Sequence, residues 1–209
     1  MNWIMRNEFV IAYEKANLIL SKLNLNSCRH EMMRTADIID AVEKELGLDI
    51  KFTTLDFKKF NKERYRKPFN IESFGAAMCV SSEEKQAIIV LNEKETPEMQ
   101  RFSLVHELGH LMIQDLTEFS GYRVSTHIDM DITSIPNELL DKQGFEFLVE
   151  EQQANIFALL VLIPYELLKN AIKEHDSVEG IAKAFGVERN AIFSRMELER
   201  PLTTGGANG

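Results

Sequence analysis

Apolar residues recur along the chain with two periods, and the change from one to the other outlines the elements. Phe9, Tyr13, Ala16 and Leu20 fall at helical spacing within Glu8 to Leu20. Ile38 to Leu46 reads as a second helix, ended by Gly47. Leu48 to Leu55 then alternates apolar and polar positions, which predicts a strand. Phe74 to Val80 and Gln86 to Leu91 predict two more short strands, and the polar link Ser81 to Lys85 between them fits a hairpin. Thr96-Pro97-Glu98 is a helix start, with Thr as the cap and Pro in the first turn, and that helix runs to about Gln114. Thr117 to Phe147 is poorly periodic, although Arg123 to Met130 has strand character. Leu148 to Leu162 is a helix stopped at Pro164, and shorter helices follow to Arg200.

Composition narrows the class. With 209 residues, 44% hydrophobic and 27% charged, the chain is long enough for one substantial core. Cys28 and Cys79 stand far apart, in neither a zinc-ribbon nor a redox spacing, and read as reduced thiols. The longest apolar run, Ile156 to Ile163, is eight residues, against the roughly 20 needed to span a bilayer. The start of the chain has no basic segment followed by an apolar one, so a cytoplasmic protein is expected. The net charge of -9 is uneven: residues 1–70 carry +3, residues 71–175 carry -11, and residues 176–209 carry -1. An acidic middle argues against DNA as its ligand. Lys58 to Lys67 packs six cations into ten residues, which suits a solvated loop or a docking patch for an acidic partner.

Within the helix that starts at Pro97 lies His106-Glu107-Leu108-Gly109-His110, an H-E-x-x-H pattern. Residues i and i+4 are about 40° apart around a helix, so both imidazoles leave from one side and can share one zinc ion. Ser103, His106, Glu107, His110 and Gln114 form one arc of the helical wheel, and Leu104, Val105, Leu108, Leu111 and Met112 form the opposite arc. The expectation is an apolar face on the core and the motif lining a cleft.

A catalytic zinc site needs a third protein ligand and an open fourth position. The extended metzincin pattern asks for Gly and His where the sequence has Ile113 and Leu116, so that class is excluded. A glutamate from a second helix is the other route. Glu151, Asn155 and Ala158 share one face of such a helix, with Ala154 beside them. The small Ala154 and Ala158 would permit close approach to Gly109, and Asn155 can hydrogen-bond a ligating imidazole. Glu150 points about 100° away, which favours Glu151 as the ligand. Asp115, Asp129, Asp131 and His127 are rivals. His30 and His175 read as structural or surface residues.

Arg101 to Leu111 resembles the active-site signature of the ImmA/IrrE metallopeptidases. Glu151 to Ala158, followed by Leu162-Ile163-Pro164, is similar to that family's second block, with Gln153 where an acid is common. Ile181 to Met196 resembles its C-terminal helix pair; residues 1–70 carry no part of the likeness. The resemblance implies a cytoplasmic gluzincin-like zinc endopeptidase that cuts a regulatory protein, a helix-turn-helix repressor, and so derepresses mobile-element or stress-response genes. It implies one Zn²⁺ on His106, His110 and Glu151, with Glu107 as general base. It also implies that Gly75, Ala76 and Ala77, on the strand before the metal helix, form an edge that pairs with extended substrate. Tyr122, His127 and Tyr165 are candidate oxyanion donors.

The fold expected is α+β: a zincin-like peptidase whose small, twisted, mainly antiparallel sheet packs on the active-site helix. Residues 1–47 form a helical segment on the core, 48–175 the peptidase core, 176–202 a helix pair and 203–209 a flexible tail. Gly186 gives the helix pair a helix-turn-helix outline, yet it lacks positive charge, so packing or substrate docking is expected rather than DNA contact. Against the peptidase stands a second class: a regulatory protein that binds a partner or DNA on this fold without cleaving. The intact His106, Glu107 and His110 favour the enzyme.

Overall fold

A computed structural model describes residues 4–23, 25, 32–57, 75–114, 121–125 and 142–199. Its elements are α1 (Ile4–Lys22), α2 (Thr35–Leu46), β1 (Asp49–Leu55), β2 (Ala76–Ser81), β3 (Gln86–Asn92), α3 (Pro97–Ile113) and β4 (Gly121–Ser125), then α4 (Lys142–Leu162), α5 (Tyr165–Glu174), α6 (Val178–Phe185) and α7 (Arg189–Leu198). This is an α+β fold. Local chemistry sets several boundaries. Gly47 closes α2 in the left-handed region at φ 66°, and its N–H donates to the Glu43 carbonyl. Thr96 caps α3 by accepting from the Met99 N–H at 3.2 Å, with Pro97 in the first turn.

The sheet has the order β1-β3-β2-β4. β2 pairs antiparallel with both β3 and β4, whereas β1 runs parallel to β3. This order corrects one expectation. Ala76 and Ala77 pair with Leu91 and Val90 on one side and with Ser125 and Val124 on the other. The Gly75 carbonyl accepts from Asn92 N–H. β2 is therefore an interior strand, and its backbone has no free edge for a substrate. Among the described residues the outer strands are β1 and β4, because β4 arrives after α3 and takes the position beside β2. Period-two alternation identifies a strand but is silent on its neighbours.

Ala76, Met78, Val80, Ala87, Ile89 and Leu91 turn one sheet face onto the core that α3 occupies. α4 packs along α3, and α1 packs across both through Phe9, Ala12, Ala16 and Ile19. β1 is mostly exposed: Ile50 is buried, but Phe52, predicted to share its face, remains 53% exposed at the sheet margin. The C-terminal pair closes the far end of α4, where buried Arg195 donates from Nε to the Ile163 carbonyl at 2.9 Å. That contact places a cation at a helix C-terminus, the end its dipole favours. Among the described residues, no single helix is long and apolar enough to cross a membrane. Cys28, His30, the basic stretch 58–67, Asp115, His127, Asp129, Asp131 and the tail 203–209 lie outside the described residues.

Candidate metal centre

α3 and α4 meet at the motif, antiparallel: Gly109 faces Ala154 and Phe157, and Gln114 bonds Glu150. Closeness at Gly109 sets the rest of the geometry. A Cβ there would lie 3.0 Å from Phe157 Cδ1, 3.1 Å from Ala154 Cα and 3.2 Å from the Ala154 carbonyl oxygen. Two of those atoms are backbone, so only glycine against a small residue lets the helices come this near.

His106, His110 and Glu151 converge at that crossing. The two Nε2 atoms are 3.0 Å apart. Glu151 Oε2 lies 3.3 Å from His106 Nε2, and Oε1 lies 3.2 Å from His110 Nε2. Four ligands at about 2.0–2.1 Å around a tetrahedral ion stand about 3.3–3.4 Å from one another. The donor set therefore fits a single zinc-sized cation, with two imidazole nitrogens and a carboxylate oxygen supplied by two facing helices. Asn155, one turn beyond Glu151, places Oδ1 2.8 Å from His106 Nδ1. A carbonyl oxygen only accepts, so Nδ1 carries a proton and Nε2 is the nitrogen turned to the centre.

All four acid–base groups are buried, with His106 and Glu107 0% exposed and His110 and Glu151 1%. The apolar face of α3 packs on the core as expected, while the motif, expected to line a cleft, has its acid–base groups enclosed. Along the polar arc of α3, Ser103, His106, Glu107 and His110 are buried and Gln114 is half-buried, with α4 packed against α3 at Gly109. Burial works to lower the pKa of His106, but Glu151 and then Glu107 outweigh it, and the net direction is upward. Burial likewise pushes Glu151 up, yet hydrogen bonds and charge from both histidines hold its carboxylate well below the usual range. The centre is thus a carboxylate shared between imidazoles, ready to exchange protons for a metal.

Of the proposed oxyanion donors, Tyr165 is not brought to this cluster. Tyr165 starts α5, past the end of α4, roughly 16 Å along the axis from Glu151 to Leu162. It is exposed, and the Lys169 ammonium sits 4.7 Å from its ring centroid. Tyr122 lies in β4, its backbone paired opposite Cys79 of β2. Sequence reasoning also overlooked Arg101. It is buried on α3 and donates from Nη1 to Thr35 Oγ1 and from Nη2 to the Met33 carbonyl, both at 2.7 Å. Its one hint was a lone cation inside a buried helix.

The sequence matches the family model described as IrrE N-terminal-like domain over residues 45–128 and 148–197, well over half of the chain. The two matched blocks contain α3 and most of α4, including every residue of the buried cluster. A comparison with curated proteins finds no match.

Proposed function

Because the chain belongs to the IrrE N-terminal-like domain family, a family of peptidases, we propose that it is a zinc-dependent endopeptidase that cuts a specific regulatory protein in the cytoplasm. One observation carries the zinc assignment: the two Nε2 atoms and the Glu151 carboxylate converge at 3.0–3.3 Å, with the His106 tautomer set for metal binding. When bound, zinc supplies Lewis-acid activation of water and of a peptide carbonyl.

The chain's own residues supply the rest. Glu107 follows His106 directly, lies wholly buried, and is near enough to bias the imidazole electrostatically. In that position its carboxylate accepts a proton from water and returns it to the departing amine nitrogen. His106, His110 and Glu151 hold the centre, while Asn155 fixes the orientation of His106. Extended substrate pairs with an outer strand rather than with Ala76 and Ala77. β4 is the choice over β1, since it lies beside β2 and follows the metal helix in the chain.

The proposed substrate is a helix-turn-helix repressor. The reading draws on the family resemblance and on the balance of -11 over residues 71–175, which attracts a basic DNA-binding protein. The test is Glu107→Gln with a repressor encoded beside the gene. The variant should retain zinc and lose cleavage by about 10²–10⁴-fold, the span of a general base. If it still relieves repression in cells, the peptidase reading gives way to a non-cleaving binding protein.

A further inference from the structure

Arg101 poses a problem of its own. It is 9% exposed, and among the described residues no carboxylate faces it and its guanidinium donates only to the Thr35 hydroxyl and the Met33 carbonyl. Burial alone pushes its pKa down to about 10. A bare buried cation is an expensive way to join two elements, since apolar packing would avoid its desolvation. What a guanidinium adds is a rigid, planar fork that specifies one relative position of the groups it joins.

The joined groups lie on either side of a boundary. Arg101 stands five residues before His106 in α3, inside the matched span, whereas Met33 and Thr35 precede residue 45, where that span begins. The same short segment reaches a third element. Met32 lies over Gly186, whose missing Cβ would collide with the Met32 sulfur, and Glu188 just beyond accepts from Thr96, the cap of α3. The N-terminal half of α3 is therefore held by 32–35 and by the α6–α7 turn, while its C-terminal half carries the two histidines.

We propose that Arg101 is a positioning residue: by forking onto Met33 and Thr35 it sets the placement of α3, and through it the approach of His106 and His110 to Glu151. A helix moves nearly as a rigid rod, so a shift at Arg101 reaches His106, roughly 7.5 Å farther along the axis, almost undiminished. Ligand atoms 3.0–3.3 Å apart tolerate little of that shift. The segment before residue 45 thereby becomes part of the metal centre's architecture.

This rests on the metal reading above, and the test separates the two. Full-length wild type, Arg101→Lys, Thr35→Val and Thr35→Ser are titrated with Co²⁺ against a chromophoric chelator, and the d–d absorption and apo melting temperature are recorded. Lysine keeps the charge but loses the fork. Arg101→Lys should weaken Co²⁺ binding about tenfold or more and alter the absorption envelope. Thr35→Val should do so to a smaller extent, and Thr35→Ser should restore wild-type behaviour. Variants that melt earlier yet bind Co²⁺ within twofold of wild type, with an unchanged spectrum, would overturn the proposal and leave Arg101 a stability residue. If Arg101→Lys does not fold, Thr35→Val and Thr35→Ser decide by the same criteria. Wild type that takes up no Co²⁺ would instead overturn the metal reading, and this inference with it.

Discussion

Two buried polar centres sit on one helix, less than two turns apart, and they handle charge in opposite ways. At His106, His110 and Glu151, acid and base converge from α3 and α4 and offset one another's desolvation. At Arg101 a single cation meets, among the described residues, only a hydroxyl and a carbonyl. The first arrangement can take up a metal, because its lone pairs point to a common place. The second has only donors and neutral acceptors, so it can fix geometry and nothing more. The difference separates a centre whose donors could hold a metal from one that only holds position.

The sharpest way to break the contrast is to remove the anion. Glu151→Gln leaves two histidines on a single helix and should reduce zinc affinity by more than about 100-fold, beyond the loss typical of an outer-shell change. Competition titration with metal analysis of the purified protein measures it. Asn155→Ala keeps all three ligands but frees the His106 ring, and zinc affinity should fall by about 10–100-fold. If affinity is unchanged, the 2.8 Å contact is not setting the tautomer.

Gly109→Ala tests whether the helix approach governs the first centre. Alanine gains about 1 kcal/mol of helix propensity. Overpacking against Ala154 backbone and Phe157 costs about 1–3 kcal/mol, so net destabilisation is expected in chemical denaturation. Zinc affinity should fall in parallel as α4 is pushed away. A more stable variant would show that α4 yields readily.

The gentlest probe is pH. Without metal, the folded pKa of His106 lies above its ordinary 6.5, and that of Glu151 lies below its ordinary 4.5. The histidine's contribution to stability is fully present below pH 6.5 and is lost as pH rises through the raised folded value. The glutamate's is present above pH 4.5 and is lost as pH falls through the lowered one. Both hold between those limits, so above pH 6.5 chelated protein should lose this contribution. Zinc requires neutral imidazoles, so its affinity should move the other way and rise with pH, by up to about tenfold per unit for each proton displaced. Melting curves with and without zinc across this range check the opposed slopes. Parallel slopes would mean that His106 is not the group exchanging its proton.

Much of the first centre was legible in the sequence. H-E-x-x-H on a capped helix places two imidazoles on one side through local geometry alone, and Glu151 with Asn155 one turn later does the same on α4. Even the small residues at Gly109 and Ala154 announced a close crossing. The second centre was hidden, because Arg101 finds Met33 and Thr35 more than sixty residues away, and no local period encodes such a contact. Strand order was hidden for the same reason. The run from Gly75 to Ala77 looked like an edge until β4 proved to flank it.

By itself, then, the sequence determined what depends on neighbours along the chain: the helix of the H-E-x-x-H motif, its Thr96 cap, the Gly47 stop and the face of α4 that carries Glu151 and Asn155. Those follow from hydrogen bonding and side-chain spacing within a few residues. The tertiary structure alone decided that β2 is interior, that the motif's acid–base groups are buried where α4 meets α3, and that a segment before residue 45 grips α3. These outcomes depend on which surfaces meet, and that is a property of the packed core, where distant residues compete for the same space.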